Sequence, residues 1–447
     1  MNRSVLCMIP FPAAAALLCL PASASPPAPP RMSFLDNGVL RVGVDLDRGG
    51  SIGFLAEAGN ASTGNLINIH DLGRWVGQSY YSGPAPFGRP HPAWKDWPWN
   101  PVSAGDVYGR PSRLLEHSND GRTLYVKAEP KQWALDGVAA DCTFETWIRL
   151  EGNVVRVRNR LTNRRTDRTR HPARDQELPA LYTVGRLHRL VTYDGRHPFT
   201  GGPLRVIENH GQPWARWEAA EHWAALLGDD DRGVGVCHPG VVRFLGGFHG
   251  RPRGRGGPTD DATGYLSPVR REILDHDIVY GYEYALVVGS LQQIREWAYE
   301  HRPAKRPDWR FGGGTRHGWT YVNASDDGPP AGAAGLRMSL DRADPQALSP
   351  ETAFAAADAP RLYVRAAFRT SQSRAALHWR FPGEAGFPAA RRLVFPVVGD
   401  GAERTYEIPL AGHPEWRGLI GGLRLDPTDG GSAGDTVVLR RVSAGAD

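Results

Sequence analysis

Short alternating segments separated by turn residues constrain the fold of this chain more than any other feature. Glycine supplies 53 and proline 37 of the 447 residues, about a fifth of the chain, and they follow no collagen period. One segment, 290–301, has a helical pattern in which Ser290 is a suitable N-cap and Pro303 follows the end. Many turn residues and little helix predict an all-β protein.

The alternation of apolar and polar residues indicates two groups of strands. The first group is expected at 40–45, 51–55, 122–130, 139–150, 153–162, 178–184, 187–192, 223–227, 233–238 and 273–288. The second is expected at 361–369, 375–381, 393–398, 405–409, 418–426 and 436–443. Six short strands in about 110 residues are typical of one β-sandwich. We therefore predict a large β-domain at 33–302, a turn-rich linker at 303–335 and a smaller β-sandwich at 336–447.

The N-terminus has the pattern of a secretory signal peptide. A positive start at 1–3 precedes an apolar stretch at 5–20, and Ala22-Ser23-Ala24 supplies a small-x-small cleavage site. We expect 1–24 to be removed and 25–32 to form a Pro/Ala-rich leader, which predicts a secreted or periplasmic protein. No other apolar run reaches the length of a membrane span, so no membrane partner is expected.

Two of the four cysteines, Cys142 and Cys237, remain after that cleavage. Export would permit a disulfide between them, yet a core of this size does not require one. Whether the two thiols pair is therefore left open.

Charge and motif content limit the partners and cofactors. The formal net charge is +5, and the arginine clusters at 164–170 and 251–255 lie among loop residues without a nucleic-acid-binding pattern. The chain has no phosphate-binding loop, no dinucleotide-binding glycine motif and no zinc motif. We expect neither a nucleic-acid partner nor a cofactor. A structural calcium ion in the second sandwich and the oligomeric state are left open.

Asp175 and Glu177 form the first candidate site. They are two residues apart, so a strand places both side chains on one face. Charged groups at the start of a buried strand are costly unless they face a cleft or each other. A neighbouring like charge also raises the pKa of a carboxyl, as a general acid requires. The alternative is a turn cap with a structural salt bridge.

The loop at 82–112 and the residues just before it form the second candidate site. Long loops within compact domains are usually functional or disordered, and this one is too aromatic for disorder. Rings mixed with amides and carboxylates suit a saccharide, because sugar faces stack on aromatic rings while hydroxyls bind polar acceptors. The residues concerned are Gln78, Tyr80, Tyr81, Trp97, Trp99 and Asp106. The alternative is a small hydrophobic cluster beneath the loop.

Two further groups are weaker candidates. Asp275 and Asp277 share the same-face spacing beside a tyrosine-rich segment, although an ordinary edge strand would look the same. Glutamates and tryptophans also mix over 208–223, which again suits a sugar.

The N-terminal pattern resembles the opening of galactose-mutarotase-like β-supersandwich domains. The resemblance rests on Asn-Gly-Val-Leu-Arg-Val-Gly-Val at 37–44, the Gly-Gly-Ser-Ile turn at 49–52 and Asn65 followed by Asp-Leu-Gly-Arg at 71–74. It covers 33–300 and implies a fold that many secreted carbohydrate-active enzymes use. The segments at 416–427 and 434–442 are similar to jelly-roll sandwiches appended to glycoside hydrolases, which implies a second domain that supports or binds glycan.

These observations predict a secreted glycoside hydrolase that acts on a polysaccharide or oligosaccharide. Glycosidases need two carboxyl groups. We expect Glu177 to be the general acid, Asp106 the base or nucleophile, and Asp175 the residue that tunes Glu177. We expect the sugar to be bound by Gln78, by the aromatic residues of the second candidate site, and by His188 and Arg74.

Two alternative functions remain open at this stage. A polysaccharide lyase on uronic-acid glycans would use Tyr80, Tyr81 or His188 to abstract a proton, and Arg74 to neutralise the acid group. A non-catalytic glycan-binding protein would use the same surface without shortening its ligand.

Overall fold

The computed structural model describes residues 30–60, 64–85, 87–328 and 335–446. The expected signal peptide and residues 25–29 of the expected leader lie outside these ranges. Among the described residues, nineteen strands precede the α-helix α1 (Leu291–Glu300). They are β1 (Met32–Asp36), β2 (Leu40–Asp45), β3 (Ser51–Glu57), β4 (Gly77–Ser79), β5 (Pro101–Val102), β6 (Arg113–Asn119), β7 (Leu124–Glu129), β8 (Lys131–Gln132), β9 (Cys142–Glu151), β10 (Val154–Asn163), β11 (Arg174–Val184), β12 (Arg189–Thr192), β13 (Arg205–Ile207), β14 (Ala215–Glu218), β15 (Trp223–Leu227), β16 (Arg232–Cys237), β17 (Arg243–His249), β18 (Thr263–Glu272) and β19 (Val279–Ser290).

Thirteen described strands follow the helix. They are β20 (Asp308–Arg310), β21 (Thr320–Val322), β22 (Ser325–Asp326), β23 (Leu336–Ser339), β24 (Gln346–Leu348), β25 (Phe354–Ala355), β26 (Arg361–Arg369), β27 (Arg374–Arg380), β28 (Arg392–Pro396), β29 (Asp400–Pro409), β30 (Leu419–Ile420), β31 (Gly422–Asp426) and β32 (Thr436–Ser443). The predicted all-β class is confirmed. No helix in the described ranges combines the length and the apolar character that a membrane crossing requires.

Two large antiparallel sheets build the first part of the chain. One has the strand order β13-β12-β15-β16-β19-β10-β9-β7-β6, and the other has the order β14-β17-β18-β11-β4-β5-β8. Apolar side chains from both sheets, such as Val155 and Leu226 from the first and Leu181 and Leu266 from the second, share one buried cluster. The core therefore lies between the two sheets, and the candidate site described below is on the outer face of the second sheet.

The strands after residue 307 form separate sheets around their own core. One sheet has the order β22-β23-β32-β26-β29, with β20 also paired to β32, and the other has the order β21-β24-β31-β27-β28. Phe368, Trp379 and Leu425 are fully buried between them. Strands β20, β21 and β22 fall within 303–335, the range expected to be a linker. These three strands are part of the second sandwich, because each of them pairs with a later strand.

Ionic contacts join the two sandwiches. Arg316, from the second, is almost fully buried and donates to Asp275 of the first at 2.6 Å while it also pairs with Asp326. Arg243 of the first sandwich donates to Glu351 of the second at 2.9 Å. Asp275, an alternative catalytic candidate, therefore has a structural partner.

The two cysteines do not pair. Both are free and buried. In the sheet, Cys142 of β9 lies opposite Asn163, at one end of β10. Cys237 of β16 lies opposite Ala285 of β19, which in turn lies opposite Arg156, seven residues earlier on β10. Seven residues of strand span about 23 Å, far beyond the roughly 4.4–6.8 Å between the Cα atoms of a disulfide.

Candidate functional site

The outer face of β11 carries the first candidate residues. Gln176 and Leu178 are fully buried, whereas Asp175 and Glu177, which alternate with them, are partly exposed. The expected same-face placement of the two carboxyl groups is therefore observed. The pairing of β11 with β18 changes register just after Glu177, where the strand passes through Pro179.

Glu177 is held by two tyrosine hydroxyls. Tyr81 donates to its Oε2 at 2.9 Å, and Tyr265 donates to its Oε1. Burial raises the pKa of Glu177, although the hydrogen bonds from Tyr265, Ser79 and Tyr81 act in the opposite direction. A carboxyl with a raised pKa keeps its proton to higher pH, which is the property that a general acid needs.

Aromatic rings surround this carboxyl group. The Tyr265 ring centroid is 4.6 Å from that of Tyr182 and 4.9 Å from that of Trp214. On the other side, Tyr81 packs edge-on against Trp97 at 5.5 Å, and Trp97 packs against Trp94 at 4.5 Å. We call the surface formed by Tyr81, Trp97, Glu177, Tyr182, Trp214 and Tyr265 the Glu177 face. All of its members except Tyr265 are partly exposed.

A charged group borders the Glu177 face beside Tyr182. Arg74 lies 3.1 Å from Asp71 and 2.8 Å from Asp261, and its side chain is only 12% exposed. Burial raises the pKa of Tyr182, and the carboxylates of Glu177 and Asp71 raise it further. The charges of both carboxyl groups therefore act on the Tyr182 hydroxyl. The Asp71 side chain is 45% exposed to solvent.

Asp106 has a different environment from the one expected for a base or nucleophile. It is buried, its Oδ1 accepts from the backbone N–H groups of Tyr108 and Arg110, and its Oδ2 accepts from Gly137 N. Three backbone donors to one buried carboxylate hold a loop in place. These contacts favour a structural role, and no described hydrogen bond joins Asp106 to Glu177.

Asp175 belongs to an ionic group rather than to a carboxyl pair. Its Oδ2 accepts from Arg216 at 2.7 Å, and its Oδ1 is paired with Arg243. The pKa of Glu177 responds to burial and to neighbouring hydroxyls, and Asp175 is not among its main causes. The structure therefore does not support Asp175 as the residue that tunes the pKa of Glu177.

Three residues expected to bind sugar lie in the core instead. Tyr80 is fully buried and donates to Gln78 Oε1 at 2.8 Å. The Gln78 amide donates to Glu145 O and Thr146 Oγ1, each at 3.0 Å. Trp99 is 1% exposed. Tyr80 is adjacent in sequence to the partly exposed Tyr81, and Trp99 is two residues from the partly exposed Trp97, so the aromatic pattern alone does not separate buried from exposed rings.

His188 and Arg74 are also engaged in local contacts. The Nε2 atom of His188 lies 3.0 Å from Asp229 Oδ1, and its ring packs against Phe248. Arg74 borders the Glu177 face, but its guanidinium is already paired with the carboxylates of Asp71 and Asp261. Of the residues expected at the site, Tyr81, Trp97 and Glu177 are the ones that the structure brings together.

Sequence reasoning missed Tyr182, Tyr265 and Asp71. Tyr182 is five residues after Glu177 on the same strand, beyond the register change at Pro179, so a simple period-two count would place it on the opposite face. Tyr265 comes from β18, which has no alternating pattern because nearly all of its residues are buried. The pairing of β18 with β11, which no local pattern predicts, brings Tyr265 to Glu177.

No group of three or more histidine, cysteine, aspartate or glutamate side chains within the described ranges is arranged to hold a metal ion.

Comparisons with known proteins add only distant similarities. No family model and no curated protein matches the chain. A galactose mutarotase-like protein from Lactobacillus casei is similar at 11% identity over 58% of this chain and 100% of that one, with a TM-score of 0.38. A galactose mutarotase related enzyme from Lactobacillus acidophilus is similar at 9% identity over 58% and 98%, with a TM-score of 0.37. A Paenibacillus xanthan lyase is similar at 7% identity over 92% and 50%, with a TM-score of 0.32. At these values the similarities establish neither a family nor an activity.

Proposed function

We propose that this protein binds a saccharide on the Glu177 face and hydrolyses a glycosidic bond there. The observation that carries the proposal is the carboxyl group of Glu177, whose pKa is raised by burial among aromatic side chains that, apart from Tyr265, are partly exposed. Aromatic rings stack on sugar faces, and a protonated carboxyl can protonate a glycosidic oxygen. Trp97 and Trp214, on either side of Glu177, would hold the sugars next to the bond that is cleaved.

Asp71 is our candidate for the second carboxyl group. Its charge raises the pKa of Tyr182, as that of Glu177 does, and its partial exposure leaves it open to a water molecule. In the proposed reaction Glu177 gives its proton to the leaving oxygen. Asp71 takes a proton from the water that attacks the anomeric carbon, and proton exchange with solvent restores both groups. Asp106 remains the sequence-based alternative, although its three backbone donors argue for a loop-stabilising role.

The tyrosine contacts favour hydrolysis over lyase chemistry. A lyase that used Tyr81 or Tyr265 as its base would need the deprotonated form of that tyrosine. Burial raises the pKa of Tyr81 and of Tyr265 well above the usual value, and the neighbouring Glu177 raises both further. Both hydroxyls are therefore expected to keep their protons and to act as donors.

The remaining proposals concern the rest of the chain. Secretion rests on the sequence pattern at 1–24. We also propose that the second sandwich, with its jelly-roll-like sequence, mainly supports the first, because the buried Arg316 pairs with carboxylates from both.

The test is product analysis on a panel of neutral and acidic oligosaccharides and polysaccharides. Hydrolysis predicts new reducing ends without the ultraviolet absorbance of an unsaturated product. Absorbance that rises with each cleavage would instead identify a lyase, and ligand binding without any shortened product would identify a glycan-binding protein. For the second carboxyl, Asp71→Asn should abolish turnover while Asp136→Asn, at a comparably exposed position in a surface ion pair, should not.

A further inference from the structure

Arg216 lies at the border of the Glu177 face, and most of its donors have no partner among the described residues. It is on β14, where Trp217 points into the core and Arg216 points outward. Its described hydrogen bond is the one from Nη1 to Asp175 Oδ2 at 2.7 Å. A guanidinium has five N–H donors, and the Arg216 side chain is 59% exposed. Several donors therefore face solvent.

The other arginines around this face are differently placed. Arg74 is 12% exposed and is held between two carboxylates. Arg243 is 20% exposed and bridges Asp175 and Glu351. Because Arg243 already balances Asp175, Arg216 can turn its free edge toward a ligand without leaving that carboxylate unpaired.

The neighbours of Arg216 connect it to the proposed catalytic group. Its partner Asp175 is on the same face of β11 as Glu177, and two residues of strand span about 6.7 Å. Trp214 is two residues before Arg216, and its ring packs on Tyr265, which donates to Glu177. A sugar stacked on Trp214 would therefore lie between the guanidinium and the carboxyl group of Glu177.

We propose that the saccharide is acidic, and that Arg216 binds the carboxylate of a uronate unit stacked on Trp214. This inference rests on the proposed function of the Glu177 face. The planar fork of an arginine matches the two oxygens of a carboxylate, and such charge-assisted pairs are stronger than neutral hydrogen bonds.

Calorimetric binding to oligogalacturonates and to their methyl esters tests the proposal, since esterification removes the charge of each carboxylate and adds only a methyl group. Oligomers of mannuronate, glucuronate-containing oligosaccharides, neutral oligosaccharides and sulfated oligosaccharides complete the panel. We expect a uronate ligand to bind at least tenfold more tightly than its ester, and Arg216→Ala to remove that preference while ester binding is kept. Arg216→Lys should restore part of it.

Arg205→Ala is the matched control. Arg205 is also 59% exposed and also donates to an aspartate, Asp194, at 2.6 Å, but it lies on the edge strand of the other large sheet. Its replacement should leave the preference intact. Equal binding of acid and ester, or a preference that survives in Arg216→Ala, would overturn the inference and leave the proposed function standing. Tighter binding of sulfated than of carboxylated sugars would overturn the carboxylate assignment. If no saccharide in the panel binds, the proposed function itself fails.

Discussion

Replacement of His238 by leucine is expected to make this protein less sensitive to acid. His238 is 5% exposed, its ring is stacked on Tyr282, and neither ring nitrogen has a hydrogen-bond partner within the described residues. Burial, followed by the charge of Arg270, lowers the pKa of His238 from 6.5 to about 3. The folded state therefore binds this proton less readily than the unfolded state does.

The sign and size of the effect follow from this difference. Because the folded pKa is lowered, the stability contribution is present above the unfolded pKa of 6.5 and is lost as the pH falls toward about 3. Each pKa unit corresponds to about 1.4 kcal/mol. At pH 5, which is 1.5 units below 6.5, His238 should reduce the free energy of unfolding by about 2 kcal/mol, and by about 5 kcal/mol below pH 3.

Urea unfolding at pH 7.5 and at pH 5 measures the effect. His238→Leu should lose about 2 kcal/mol less stability between the two conditions than the wild type. His222, whose pKa burial lowers to about 4, titrates in both proteins and cancels in the comparison. His210→Leu is the control, because that side chain is 64% exposed. An equal pH-dependent loss in wild type and His238→Leu would refute the reasoning.

Three further predictions concern groups outside the Glu177 face. Asp106→Asn should lower the free energy of unfolding by about 1–3 kcal/mol, because an amide nitrogen cannot accept a hydrogen bond from a backbone N–H. Turnover should be kept, and loss of turnover at unchanged stability would restore Asp106 as a catalytic candidate. Arg316→Met should cost about 3–5 kcal/mol in the same measurement, because two buried aspartates lose their cation; a change below 1 kcal/mol would show that the ion pairs do not secure the second sandwich. Thiol titration of the denatured chain from residue 25 onward should find both Cys142 and Cys237 free, and a result of no free thiol would contradict the strand register.

The sequence predicts most strands well where one face is buried and the other is solvated. The expected strands at 361–369 and 436–443 coincide with β26 and β32, and Ser290 caps the helix through Gln293 N as expected. β18 was missed because burial on both faces removes alternation. β20–β22 were read as a linker because strands of two or three residues carry no period.

The site was predictable only in part, for a related reason. Two-residue spacing indicated Glu177, since a strand makes that spacing meaningful without knowledge of the fold. Trp97 and Trp99 lie in the same aromatic segment of the sequence, yet Trp99 is in the core and Trp97 is on the Glu177 face. The choice between Asp106 and Asp71 depends on which strands become neighbours of β11, and those contacts connect residues about one hundred positions apart.

The central claim is that Glu177 supplies the proton for glycosidic cleavage, and turnover by Glu177→Gln tests it most directly. On the glycan that the wild type cleaves, the variant should bind with nearly unchanged affinity but turn over about 10²–10⁴-fold more slowly, because the amide cannot donate a comparable proton. Glu218→Gln is the matched control. Glu218 lies on the same sheet as Glu177 and burial also raises its pKa, but its carboxylate is paired with Arg380. Its turnover should stay close to that of the wild type. Full turnover by Glu177→Gln, or an equal loss in both variants, would contradict the assignment of Glu177 as the acid.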